Sequence, residues 1–131
     1  MEIIISQAQR RVPVTIMHLK GDFDYLSVDD FDAQARKTVE GGARDILIDL
    51  SGVRFMSSVG IRSIHTLYDL VHNAESREKK TVYQGVRDGT YKAPHLKLLN
   101  PTKKVLDSLK LISLDMYIDI FDNEQEALAT F

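Results

Sequence analysis

Apolar positions near the amino terminus recur with a short period in two stretches, Glu2 to Ser6 and Val12 to Lys20, and each reads as a β-strand. In the second, Val12, Val14, Ile16 and Leu19 mix with Thr15 and His18 ahead of Gly21, and a hairpin through Gln7 to Arg11 joins the pair. The period then lengthens. Phe31, Ala35 and Val39 recur every four residues, which predicts a helix from about Val28 to Glu40, with Ser27 or Asp29 as its cap and Gly41-Gly42 as its stop.

Asp45-Ile46-Leu47-Ile48-Asp49-Leu50 is an unbroken apolar run with acids as punctuation, the pattern of a central strand covered on both faces. Ile64, Leu67, Tyr68 and Val71 then fall on one helical face, predicting an amphipathic helix from about Ser58 to Asn73 packed on that sheet. Ala74 to Lys80 closes this helix, and Thr81 to Pro94, with Gly85, Gly89 and Pro94, reads as a long irregular loop. His95 to Leu99 is a further strand, ended by Asn100-Pro101, with Pro101 suited to the first turn of a helix carrying Val105, Leu106 and Leu109. Tyr117 to Phe121 supplies a last strand, and Asp122 to Glu126 starts a terminal helix through Ala127 and Leu128. The alternation predicts a single α/β domain over residues 1–131, with a mixed, mostly parallel central sheet and about four helices.

Composition sharpens this picture by exclusion. A chain of 131 residues, 44% hydrophobic and 27% charged, is long enough to build its own core without staples. The absence of cysteine removes disulfide frameworks, zinc ribbons, iron–sulfur clusters and thiol nucleophiles, and fits a reducing, cytoplasmic setting. Met1-Glu2-Ile3-Ile4-Ile5-Ser6-Gln7 has an early acid and a short apolar run, so it reads neither as a signal peptide nor as a membrane span. A net charge of -2 gives no global field that would draw the chain to nucleic acid or anionic lipid, although Arg77-Glu78-Lys79-Lys80 and Lys103-Lys104 are locally basic.

Candidate chemistry concentrates after the central strand, where Ser57 and Ser58 stand at a predicted helix start. Amide hydrogens there lack intrahelical partners and the helix dipole is positive, so an added phosphate is held favourably. The simpler role for either serine is a helix cap. Neither is followed three residues later by Glu or Gln, so no reciprocal capping box forms.

Three segments resemble one family, the STAS domains of bacterial anti-sigma factor antagonists and sulfate-transporter tails. Leu19-Lys20-Gly21-Asp22-Phe23-Asp24 is similar to the family's L-x-G-x-L-D, and Ile48 to Ile61 to its D-L-x-x-V-x-F-M-D-S-S-G-L signature. Val105 to Leu111, followed by Tyr117 to Leu128, resembles the closing helix, strand and helix. The resemblance implies that Ser58 is the phosphorylated serine, with Ser57 the second choice. It places Asp24, Ser57, Ser58, Gly60 and Ile61 at the partner surface. The sequence departs from the family pattern in having Ser57 where the family has an acid and Val59 where it has a second serine. The segment from Glu75 to Pro94 also runs longer than the family's.

The function implied is that of an anti-sigma factor antagonist, a phosphoserine-switched module. It sequesters an anti-sigma factor that is also a serine kinase, and a cognate phosphatase resets it. The alternative within the family is a STAS subunit of a stress-sensing complex or of a lipid-transport ABC system. A monomer or weak homodimer without cofactor, metal or enzymatic activity is expected, and no nucleotide-binding loop of the G-x-x-x-x-G-K-S/T or G-x-G-x-x-G type is present. Two rivals come from other classes. One is a phosphoacceptor domain using Asp49 at a strand end, which lacks the acid pair needed for magnesium after the first strand. The other is a hydrolase pairing Ser58 with His18, His65, His72 or His95, where His65 and His72 lie far along the same helix from Ser58.

Overall fold

The computed structural model describes residues 1–72 and 92–131. Five strands form one sheet in the order β1-β2-β3-β4-β5, with β1 Glu2–Gln9, β2 Pro13–Phe23, β3 Ile46–Met56, β4 Leu96–Leu99 and β5 Ile120–Phe121. The β1–β2 hairpin is antiparallel and every later pair is parallel, so the sheet is mixed and mostly parallel. Among the described residues four α-helices accompany it: α1 Val28–Glu40, α2 Ser58–His72, α3 Lys103–Leu111 and α4 Glu124–Ala129.

Side-chain alternation along β2 and β3 divides the core between the two faces of the sheet. Met17, Leu19, Ile46, Ile48 and Leu50 pack with Phe31 of α1, Ile64 and Leu67 of α2, and Val105 and Leu109 of α3. On the opposite face Val14, Ile16, Leu47 and Leu99 pack with Ala127, Leu128 and Phe131 from the carboxyl terminus. Burial on both sides explains the unbroken apolar run of β3.

The predicted helix at Val28–Glu40 agrees to the residue, but its cap differs. Ser27 occupies the capping position without a side-chain cap. Its hydroxyl instead donates to the Asp22 carbonyl at 2.8 Å and accepts the Asp24 amide at 3.0 Å, closing the loop from β2. Asp29 lies inside the first turn. Strand β3 runs to Met56, well beyond the expected end at Leu50, because Gly52, Val53, Phe55 and Met56 pair with Lys20 to Phe23 of β2 across two register shifts. A β-carbon on Gly52 would stand 2.7 Å from the Leu19 carbonyl oxygen, so only glycine permits this approach.

Pro101 lies outside α3, not in its first turn. Thr102 is the cap, its hydroxyl accepting the Val105 amide at 3.3 Å. The last strand shortens to Ile120–Phe121, because Leu114–Met116 form a 3-10 turn that delivers Tyr117 to the side of α2. The expected helix closure at Ala74 to Lys80 and most of the Thr81 to Pro94 loop fall outside the described residues, as does the basic stretch Arg77 to Lys80.

Candidate functional site

The end of β2 and the start of α2 meet at the carboxyl end of the sheet. The Ser57 amide donates to the Phe23 carbonyl at 2.9 Å, which brings the loop beginning at Asp24 beside the two serines. Gly60 makes this junction possible. A β-carbon there would sit 2.6 Å from the Phe23 carbonyl oxygen and 2.9 Å from its ring.

The serines divide their roles. Half-buried Ser57 caps α2, its hydroxyl accepting the Gly60 amide in a long bond of 3.4 Å. Ser58 is the first helical residue and is exposed, and its hydroxyl has no hydrogen-bond partner among the described residues. It stands beside amides that lack intrahelical acceptors.

Asp24 is half-buried and its Oδ1 accepts the Leu26 amide at 3.0 Å, fixing a tight turn. That turn presents Tyr25 and Leu26 to solvent at 73% and 76% exposure, and Phe55 at the end of β3 is 41% exposed. The Lys104 ammonium lies 5.5 Å from the Phe55 ring centroid, so one of the two lysines read as basic surface belongs to this end of the molecule. Beside Asp24 an open groove of about 480 Å³ is lined by residues that include Lys20, Asp22 and Arg54. Ile61 differs from the surface role expected of it. At 6% exposure its side chain joins the core, so it supports the turn from beneath.

Sequence reasoning takes Phe55 only as part of the Ile48 to Ile61 signature and misses the exposed apolar pair Tyr25 and Leu26. Their signal was two large apolar residues, Tyr25-Leu26, between a strand-ending Phe23-Asp24 and a helix start, where no strand or helix period employs them.

The rival chemistries lose their geometry. Asp49 sits inside β3, not at a strand end, and is bonded to His18 Nδ1 at 2.8 Å and to the Ser51 amide at 3.0 Å. Burial alone would raise its carboxyl, but the Ser51 amide and the His18 ring outweigh this and hold it below the ordinary value. Each histidine named as a base for Ser58 is bonded elsewhere: His18 to Asp49, His65 to the Tyr117 hydroxyl, His72 to the Tyr68 carbonyl and His95 to Asp45. Among the described residues no group of three or more His, Asp or Glu side chains is placed to hold a metal, and no helix is long and apolar enough to cross a membrane.

A mixed five-stranded sheet with a serine pair at the start of its second helix defines a class of small α/β domain. A family model for the STAS domain matches residues 6–77, more than half of the chain, and the chain belongs to that family. The solved structures it resembles include the anti-sigma factor antagonist SpoIIAA in its unphosphorylated form, at 19% identity and a TM-score of 0.69, over 97% of this chain and 93% of that one. The phosphorylated form of SpoIIAA from Bacillus matches at 16% identity and a TM-score of 0.63, over 98% and 97% of the two chains. An anti-sigma factor antagonist from Mycobacterium paratuberculosis matches at 16% identity and a TM-score of 0.69, over 98% and 92%. The chain therefore has the fold of the anti-sigma factor antagonists. Comparison with curated protein sequences gives no match.

Proposed function

We propose that this chain is an anti-sigma factor antagonist whose partner surface is the end of the molecule around Ser58. Unmodified, it binds an anti-sigma factor that is also a serine kinase. Phosphorylated on Ser58, it lets that partner go, and a phosphatase restores it. The observation that carries this reading is the division between the two serines: Ser57 is occupied as a cap, while Ser58 is exposed beside it. Tyr25, Leu26 and Phe55 supply apolar anchors next to the modified position, in the manner of aromatic and aliphatic residues at the centre of an interface. A phosphate brings a charge of about -1.5 to -2 at neutral pH, and inside an interface beside Asp24 it repels and is costly to desolvate. A loss of about 1.4 kcal/mol already weakens affinity tenfold.

The experiment is incubation with a cognate serine kinase and ATP, followed by mass-spectrometric mapping. Phosphate on Ser58 that persists in Ser57→Ala and disappears in Ser58→Ala supports the reading; label absent from both serines overturns it.

A further inference from the structure

The sheet face opposite α1, α2 and α3 is only partly covered. The carboxyl-terminal helix and Phe131 close it over Val14, Ile16, Leu47 and Leu99. Next to that cover, three successive strands bring Ser6, His18 and Asp49 into one hydrogen-bonded line. Ser6 Oγ lies 3.0 Å from His18 Nε2, and His18 Nδ1 lies 2.8 Å from Asp49 Oδ2. The second Asp49 oxygen accepts the Ser51 amide at 3.0 Å, which fixes the carboxylate.

The protons follow from the partners. A charged carboxylate accepts, so Nδ1 carries the imidazole hydrogen and Nε2 presents its lone pair to the Ser6 hydroxyl. This is the arrangement in which a serine becomes nucleophilic: a base within hydrogen-bond reach and a third group orienting the base. Ser6 and His18 are half-buried and reachable from solvent. Ile4 faces His18 directly across the β1–β2 ladder and is 54% exposed, so an apolar surface adjoins the hydroxyl. The site shares no residue with the end of the molecule around Ser58.

We propose that Ser6 is an activated nucleophile, with His18 as its general base and Asp49 as the group that orients the base, and that it accepts an acyl group from activated esters. In the step, Ser6 Oγ bonds to the ester carbonyl carbon while its proton moves to His18 Nε2. The tetrahedral adduct then collapses, the bond to the leaving oxygen breaks, and that oxygen takes the proton from His18. The products are a Ser6 ester and a free alcohol or phenol. A line of hydrogen bonds that served only to tie the three strands together would leave Ser6 as inert as any other surface serine.

The test uses the full chain with p-nitrophenyl butyrate, following nitrophenol release and mapping the butyryl group by mass spectrometry. The expected result is butyrylation of Ser6 ahead of Ser57 and Ser58, with nitrophenol released in step with the label. Ser6→Ala abolishes this label, and His18→Gln, which keeps the hydroxyl, slows it by about a hundredfold. Thermal melts confirm that both variants are folded. Wild-type protein with no label on Ser6, or a folded His18→Gln protein labelled at the wild-type rate, overturns the proposal.

Discussion

Gly60 and the backbone of Phe23 stand so close that a β-carbon on Gly60 would lie 2.6 Å from the Phe23 carbonyl oxygen. In an open helix Gly→Ala gains about 1 kcal/mol from propensity. Here the obstacle is backbone and an aromatic ring, neither of which moves cheaply, so overpacking of about 1–3 kcal/mol wins. Gly60→Ala is expected to lower the thermal midpoint by several degrees and to shift the urea midpoint the same way. An unchanged or raised midpoint contradicts this contact.

The two serines separate by stability before any partner is added. Ser57→Ala removes a long capping bond and is expected to cost about 0.5–1 kcal/mol. Ser58→Ala touches no described partner and stays within about 0.5 kcal/mol of the parent. Ser58→Asp places a negative charge on the first turn and holds or raises the midpoint. Paired urea titrations check the order; a larger loss in Ser58→Ala than in Ser57→Ala reverses the assignment of the cap.

His72 predicts an acid limb in the stability curve. Its Nδ1–H donates to the Tyr68 carbonyl at 2.8 Å and its Nε2 accepts the His95 amide at 3.2 Å, an arrangement that only the neutral ring satisfies. Burial depresses its affinity for protons below the ordinary value of 6.5, and the His95 ring adds to this, while the Tyr68 carbonyl, Asp69 and Asp45 oppose it. The unfolded chain therefore binds the proton more readily. Stability is full above about pH 6.5 and falls as pH drops through that value toward the folded value. Asp49, also held below its ordinary 3.8, loses its contribution further into the acid, as pH falls through its folded value. Urea midpoints measured from pH 8 to pH 5 should decline in the wild type and flatten in His72→Gln.

Lys97 is buried among apolar groups, its ammonium 5.1 Å from the Phe131 ring centroid and 3.4 Å from the Thr130 carbonyl at the end of α4. The long stem packs while the head caps the helix end and meets the ring. Lys97→Ala is expected to cost about 2 kcal/mol and to expose the carboxyl terminus to protease, with Lys97→Met between it and the wild type. Cleavage after residue 122 compared across the three proteins is the readout.

What the sequence made legible follows from how local each signal is. The Val28–Glu40 helix carries its spacing of four and its Gly41-Gly42 stop within its own residues, and the structure returns those bounds. The first half of β3 is buried on both faces and so reads as an apolar run. Its second half, Ser51 to Met56, mixes exposed and buried residues and owes its strand form to pairing with β2, a contact no local pattern announces. Pro101 suits a first turn as well as it suits the residue before a cap, and the Thr102 hydroxyl decides between them. The location of the serine pair was readable for the same reason as the helix it begins. Which serine caps was not, because the answer depends on the Phe23 backbone, 34 residues earlier in the chain.

Helix α2 is a beam pinned at both ends. The Phe23 carbonyl holds its start through the Ser57 amide, and the His95 amide holds its end through the His72 ring. A beam fixed in this way does not swing when a group is added to one tip. On the proposed function, a phosphate at Ser58 would alter the charge of a helix start that these two bonds hold in place, and a partner would read the difference as charge at a fixed address.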